Sequence, residues 1–195
     1  DGERWRWCLA QAMENAPGKA GYVKFLFASF LHDQFGVQTM QDYGWFFGRP
    51  QSDDETQKNE SGAWAMHTLG DDETIAKLAT GIKRFKLPEE FQFIRIFREI
   101  ADKRSYNHEP REMLAHIYEN RRQYPKAADE WRKAIEEFGP GPGNHRQLAL
   151  SQIVDPWGMF EQVMTQPKGG PTGEGATVDF RFRNGKKVNF TAQSI

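Results

Sequence analysis

The chain has 195 residues, with 26 lysines and arginines against 27 aspartates and glutamates and a formal net charge of −1 at pH 7. That balance lacks the electrostatic footprint of a whole-chain nucleic-acid binder, and no apolar run approaches the ~18 residues needed to span a bilayer. A single cysteine, Cys8, excludes an internal disulfide and a cysteine-rich metal site.

The N-terminus (Asp1-Gly2-Glu3-Arg4-Trp5) lacks the basic-then-apolar layout of a signal peptide. From Glu3 to Asn15, Trp5, Leu9, Ala12 and Met13 fall at helical spacing, and Pro17-Gly18 ends the pattern. Cys8, between Trp7 and Leu9, reads as a small buried hydrophobe. Residues 19–35 carry one stripe of Tyr22, Phe25, Leu26 and Phe30 and a second of Val23, Phe27 and Leu31. Two stripes predict a helix covered on two sides, ended by Gly36. The segment Val37–Gly48 is aromatic but aperiodic, an expected ordered loop holding Tyr43, Trp45, Phe46 and Phe47. Residues 49–62 contain no large apolar side chain and read as a mobile loop.

Asp71 or Asp72 can cap a helix that puts Ile75, Leu78, Ala79, Ile82 and Phe85 on one face. Pro88 suits the first turn of a following helix, with Phe91, Ile94, Phe97 and Ala101 on one stripe and Phe93, Ile96 and Ile100 on another. Over 110–138 the pattern predicts a helical hairpin. Leu114, Ile117 and Tyr118 face one way, Gln123-Tyr124-Pro125 turns the chain, and Ala127, Trp131, Ala134, Ile135 and Phe138 line the second helix. Small Ala127 and Ala134 permit close approach, while Trp131 and Tyr118 fill the wedge between the helices.

Residues 145–153 predict a short helix, and Trp157, Phe160, Val163 and Met164 one or two further helical turns. Residues 166–176 read as a linker by composition. The apolar period then drops to two: Val178, Phe180 and Phe182 alternate with Asp179, Arg181 and Arg183, and Asn184-Gly185 is a strong type I′ hairpin signal. Val188, Phe190 and Ala192 would return on the same face. The fold class expected is therefore mainly α. A helical-repeat domain over 1–165, of stacked and partly degenerate hairpins, precedes the linker and a C-terminal β-hairpin over 177–195. A lone hairpin is marginal in water, so this one is expected to begin a further β domain in a chain that continues past Ile195.

The 110–138 unit resembles a tetratricopeptide repeat in the order and spacing of Leu114-Ala115, Tyr118, Tyr124, Ala127, Trp131 and Ala134. The preceding pair, roughly 72–102, has hairpin proportions but carries Ile94 and Arg98 where a small residue and an aromatic would stand. The whole chain resembles the helical N-terminal region of bacterial alpha-2-macroglobulin-like proteins, whose tetratricopeptide-type repeats precede β-sandwich domains. The residues behind this are Asp1–Trp7, Gly81–Pro88, Ile117–Arg122 and Val178–Val188. The reactive Cys-Gly-Glu-Gln motif of that family is absent, since Leu9 follows Cys8. The resemblance implies a scaffold or interaction segment of a larger extracytoplasmic protein, periplasmic or of the cell envelope, related to protease-trapping proteins.

If 110–138 folds as such a repeat, its first helix presents Glu112, His116 and Glu119 on one stripe, with Glu109 one turn earlier. This stripe can hold a basic peptide or a divalent metal, although a solvated charged face is the commoner use of such residues. The stripe lacks a Lys/Asn set suited to clamping a C-terminal carboxylate. No His-Glu-x-x-His, Gly-x-Ser-x-Gly or phosphate loop occurs, and His32, His67, His108 and His145 form no metal-spaced pair. Arg181, Arg183, Lys186 and Lys187 form a basic face opposite Phe180, Phe182 and Phe190, better suited to guarding a strand edge than to binding nucleic acid. The expectation is thus a non-catalytic helical scaffold, without cofactor or metal. Its partner would be a protein or peptide, the downstream β domains of its own chain included. The alternative is a free-standing tetratricopeptide-type peptide-binding module using Glu112, His116 and Glu119. An unrecognised hydrolase is the third reading.

Overall fold

A computed structural model describes residues 2–37, 65–164 and 177–191. The expected aromatic loop beyond Val37, the expected loop at 49–62 and the expected linker at 166–176 lie outside the described residues. Among those described, the chain is mainly helical. It has helices α1 (Gly2–Asn15), α2 (Ala20–Phe35), α3 (Phe93–Asp102), α4 (Glu109–Asn120), α5 (Tyr124–Phe138) and α6 (His145–Val154). Two antiparallel strand pairs accompany them: β1 (Glu73–Leu78) with β2 (Gly81–Lys86), and β3 (Trp157–Met164) with β4 (Thr177–Arg183). The chain divides into two units, Asp1–Gln147 and Leu148–Ile195.

In the first unit each helix packs on the next, α1 on α2, α2 on α3, α3 on α4 and α4 on α5. The two-stripe pattern of α3 follows from this, because an internal helix meets a neighbour on either side. The expected two-sided cover of α2 is incomplete: Tyr22, Leu26 and Phe30 of its first stripe are exposed. Val23, Ala28 and Leu31 of α2 are buried, as are Phe93, Ile94, Phe97, Ile100 and Ala101 of α3. Gly21 lies so close under the carbonyl of Ser105 that a Cβ there has no room, which fixes the start of α2 against the end of α3. Leu114 and Tyr118 of α4 and Ala127, Trp131 and Ala134 of α5 are all buried, as expected of the hairpin seam. Arg122 takes the left-handed conformation (φ 56°) just past α4, and Gln123 N–H donates back to Tyr118 O at 2.8 Å, closing the turn into α5.

Several expectations need correction. Residues 73–86 are a β-hairpin, not a helix, paired from Glu73 with Lys86 to Leu78 with Gly81. Ile75 enters a small core with Val37, Met66 and Leu69, and Thr74 Oγ1 donates to Phe35 O at the end of α2. The partner of α3 on its N-terminal side is consequently α2, across a long excursion of chain. Residues 157–164 are a strand, not further helical turns, and they supply the partner of β4. Among the described residues, 186–191 do not return as a strand after Asn184-Gly185: β4 pairs with β3, with Phe160 opposite Phe180 and Trp157 opposite Arg183. Cys8 is exposed rather than buried, because α2 covers only the α1 stripe that holds Trp5 and leaves Trp7 and Cys8 outside.

The α4–α5 seam has no slack at Ala134, which is fully buried. Ala134→Leu is expected to overpack it and cost about 1–3 kcal/mol in a chemical-denaturation midpoint series. A midpoint unchanged from wild type would contradict the seam.

Candidate functional site

Three arginines are buried, and each holds a junction between elements. Arg121 follows α4 and is 0% exposed. Its guanidinium donates to Gly70 O at 2.8 Å and Glu73 O at 2.9 Å, and lies over the Phe93 ring at 5.8 Å. Gln123 Nε2 adds donations to Leu69 O at 2.7 Å and His67 O at 3.2 Å. The turn between α4 and α5 thereby satisfies the backbone of the segment leading into β1. Burial pulls the Arg121 pKa down, against the pull of Asp71.

Beside it, Asp71 gathers Arg98 (2.7 Å), Lys126 (3.1 Å) and the Tyr118 hydroxyl (3.2 Å). Burial raises the Asp71 carboxyl pKa, but the hydrogen bonds from Arg98 and Lys126 outweigh it and hold it below the usual range. The same burial, with the Asp71 carboxylate adjacent, pushes the Tyr118 phenol up.

Arg111 of α4 is the second centre. It donates to Asp102 at the end of α3 (2.9 Å), to Glu130 of α5 (3.1 Å) and through two nitrogens to Glu137 of α5 (3.0 and 3.4 Å). Glu130 and Glu137 are two turns apart, so one guanidinium spans their whole face. Arg146, in the first turn of α6, is the third. It donates to Glu112 Oε1 at 2.6 Å and to the α5-terminal carbonyls of Phe138 (3.1 Å) and Gly139 (2.9 Å). His145 Nε2 meets the same Glu112 oxygen at 3.1 Å.

The three residues expected to line a groove are all on α4, and the structure gives each a partner within the chain. Glu112 meets Arg146 and His145; burial raises its pKa, and Arg146 and His145 bring it below the usual range. Glu119 accepts the Trp131 indole N–H at 2.5 Å. His116 is exposed, its ring set edge-on to Trp131 at 5.0 Å. The stripe therefore works as two inward-turned carboxylates around an exposed imidazole. Among the described residues, no group of three or more His, Cys, Asp or Glu side chains could hold a metal ion, and no helix is long and apolar enough to cross a membrane. The surface presents apolar rows instead. Tyr22, Leu26 and Phe30 are exposed at one-turn intervals on α2, and Phe160, Phe182 and Phe190 are exposed on the β3–β4 pair and the stretch after it. The sequence pattern marks all six as apolar and predicts cover for the α2 row, which the structure leaves exposed. No family model, curated protein or solved structure matches the chain.

Arg111→Met strands the buried carboxylates of Glu130 and Glu137 and is expected to cost about 3–5 kcal/mol; calorimetry of the variant checks this, and a loss near zero would contradict the centre. Glu99 of α3, held by Lys103 (2.9 Å) and by Lys24 of α2 (3.0 Å), has its pKa lowered from 4.5 to about 2. An acid with a depressed folded pKa binds fewer protons folded than unfolded, so its stabilisation is full above 4.5 and drains as pH falls toward about 2. Glu99→Gln is expected to flatten the acid limb of a stability–pH curve in that window. The same slope in both proteins would contradict the pairing.

Proposed function

We propose that this chain is a non-catalytic helical scaffold and protein-interaction segment of a larger, extracytoplasmic alpha-2-macroglobulin-like protein. In this reading α2 with α3 and α4 with α5 are two consecutive tetratricopeptide-type hairpins. The first is interrupted between its helices by the excursion that carries β1 and β2. The observation that carries the proposal is the bracing of the helix junctions by buried arginines: Arg111 joins α3, α4 and α5, Arg121 joins the α4–α5 turn to the segment before β1, and Arg146 joins α4 to the end of α5. Such cross-links stiffen a body whose task is to hold other parts in position.

Arg111 and Arg146 are matched to carboxylates inside the fold and Arg121 to backbone carbonyls, and large apolar side chains remain outside for a protein partner. Tyr22, Leu26 and Phe30 supply one such row, with the Trp5 ring 4.8 Å from Phe30. The peptide-binding reading draws on that same row and on the exposed His116. It is second, because Glu112 and Glu119 are engaged within the chain.

The test is association in trans between this chain and the β domains encoded next to it in its own gene, followed by sedimentation velocity. An equimolar complex weakened by Phe30→Asp is the expected result. A gene with no β domain downstream, or domains that sediment independently of the chain, would overturn the scaffold reading.

A further inference from the structure

Helix α6 ends at Val154, where the last carbonyls of any helix have no partner within it. The end of β4 supplies one. The Arg183 guanidinium donates to Gln152 O, and the Asn184 side-chain amide Nδ2 donates to Ile153 O at 2.6 Å and to Asp155 O at 3.3 Å. Two neighbouring side chains at the end of a strand thus cap a helix about thirty residues upstream. Asn184 is exposed, sits in the left-handed region at φ 55°, and is followed by Gly185.

An asparagine before glycine is chemically perishable, because no Cβ shields the following nitrogen. The Gly185 nitrogen attacks Asn184 Cγ; the N–Cγ bond forms, the Cγ–Nδ2 bond breaks, and ammonia leaves with the proton from the Gly185 N–H. Water then opens the cyclic imide at one of its two C–N bonds and leaves aspartate or isoaspartate at position 184. The sequence changes no oxidation state and needs only water.

We propose that Asn184 is a self-modifying, one-way latch on the α6–β4 joint. While Nδ2 is shared between Ile153 O and Asp155 O, the amide is engaged, and reaction with Gly185 requires the side chain to leave both carbonyls. Once converted, the group is an acceptor-only carboxylate facing carbonyl oxygens, with the Asp155 side chain of the same charge on the capped residue. The cap cannot re-form, so an opening long enough to react becomes permanent.

The experiment follows conversion at position 184 by peptide mass spectrometry during incubation of the full chain at mildly alkaline pH. A free peptide of residues 181–187 serves as the reference. Conversion in the chain is expected to be slower than in the peptide, faster when Arg183→Ala removes the neighbouring cap, and lost in Gly185→Ala. Alanine is accommodated at 185, where a Cβ meets Phe182 at an ordinary 3.6 Å. Asn184→Asp is expected to lower amide protection over residues 152–157 in hydrogen exchange. Conversion in the chain at the peptide's rate, an Arg183→Ala rate equal to wild type, or an Asn184→Asp chain with unchanged protection would each overturn the latch.

Discussion

A guanidinium that no solvent reaches must be met by acceptors at the right angle, and at Arg121 those acceptors are the carbonyls of Gly70 and Glu73. Leaving either the charge or the carbonyls unmatched would cost more than a lost surface contact, because buried polar groups give up hydration whether or not they find a partner. The segment before β1 must therefore pass where the α4–α5 turn presents Arg121 and Gln123, and the turn must close as it does to present them. Phe93 beneath the guanidinium ties the first turn of α3 to the same point. One side chain consequently relates the excursion, α3 and the α4–α5 pair.

The other two buried arginines repeat the device with different acceptors. Arg111 balances three carboxylates, whereas Arg146 combines one carboxylate with two helix-terminal carbonyls. Both use Arg rather than Lys chemistry: a planar fork of donors that can serve separate oxygens at once. Of the carboxylates consumed in this way, Glu112 is one that the sequence offers to a ligand. Apolar rows also face outward on α2 and on the β3–β4 pair, and these rows together with the buried arginine centres motivate the scaffold reading.

Much of the helical part was legible. The Ala127, Trp131 and Ala134 spacing gave the α4–α5 seam, and paired stripes gave the two-sided packing of α3, whereas on α2 Tyr22, Leu26 and Phe30 of the first stripe stay exposed. Three strands were misread for a shared reason: apolar residues three or four apart also arise in β-structure when a turn or an irregularity intervenes. Leu78 and Ile82 look like helical neighbours, yet the turn at Ala79-Thr80 lies between them. In β3, the register shift between Phe160 and Gln162 leaves Phe160 and Val163 three apart although each pairs in the ladder. Asn184-Gly185 did mark a left-handed residue, but its amide caps α6 instead of closing a hairpin. The arginine centres could not be read at all. Arg111 and Arg146 reach carboxylates on other helices that no local pattern ties to them, and the acceptors of Arg121 are carbonyls, which every residue carries, about fifty positions away in the chain.

The central claim is that Arg121 makes the segment before β1 and the α4–α5 pair one cooperative body. Native-state hydrogen exchange measures this directly, residue by residue, as the free energy of opening. The account predicts that amides at 69–75 and in α4 and α5 open with the same free energy and the same denaturant dependence. Exchange of 69–75 through a separate, lower-energy opening while α4 and α5 stay protected would contradict it.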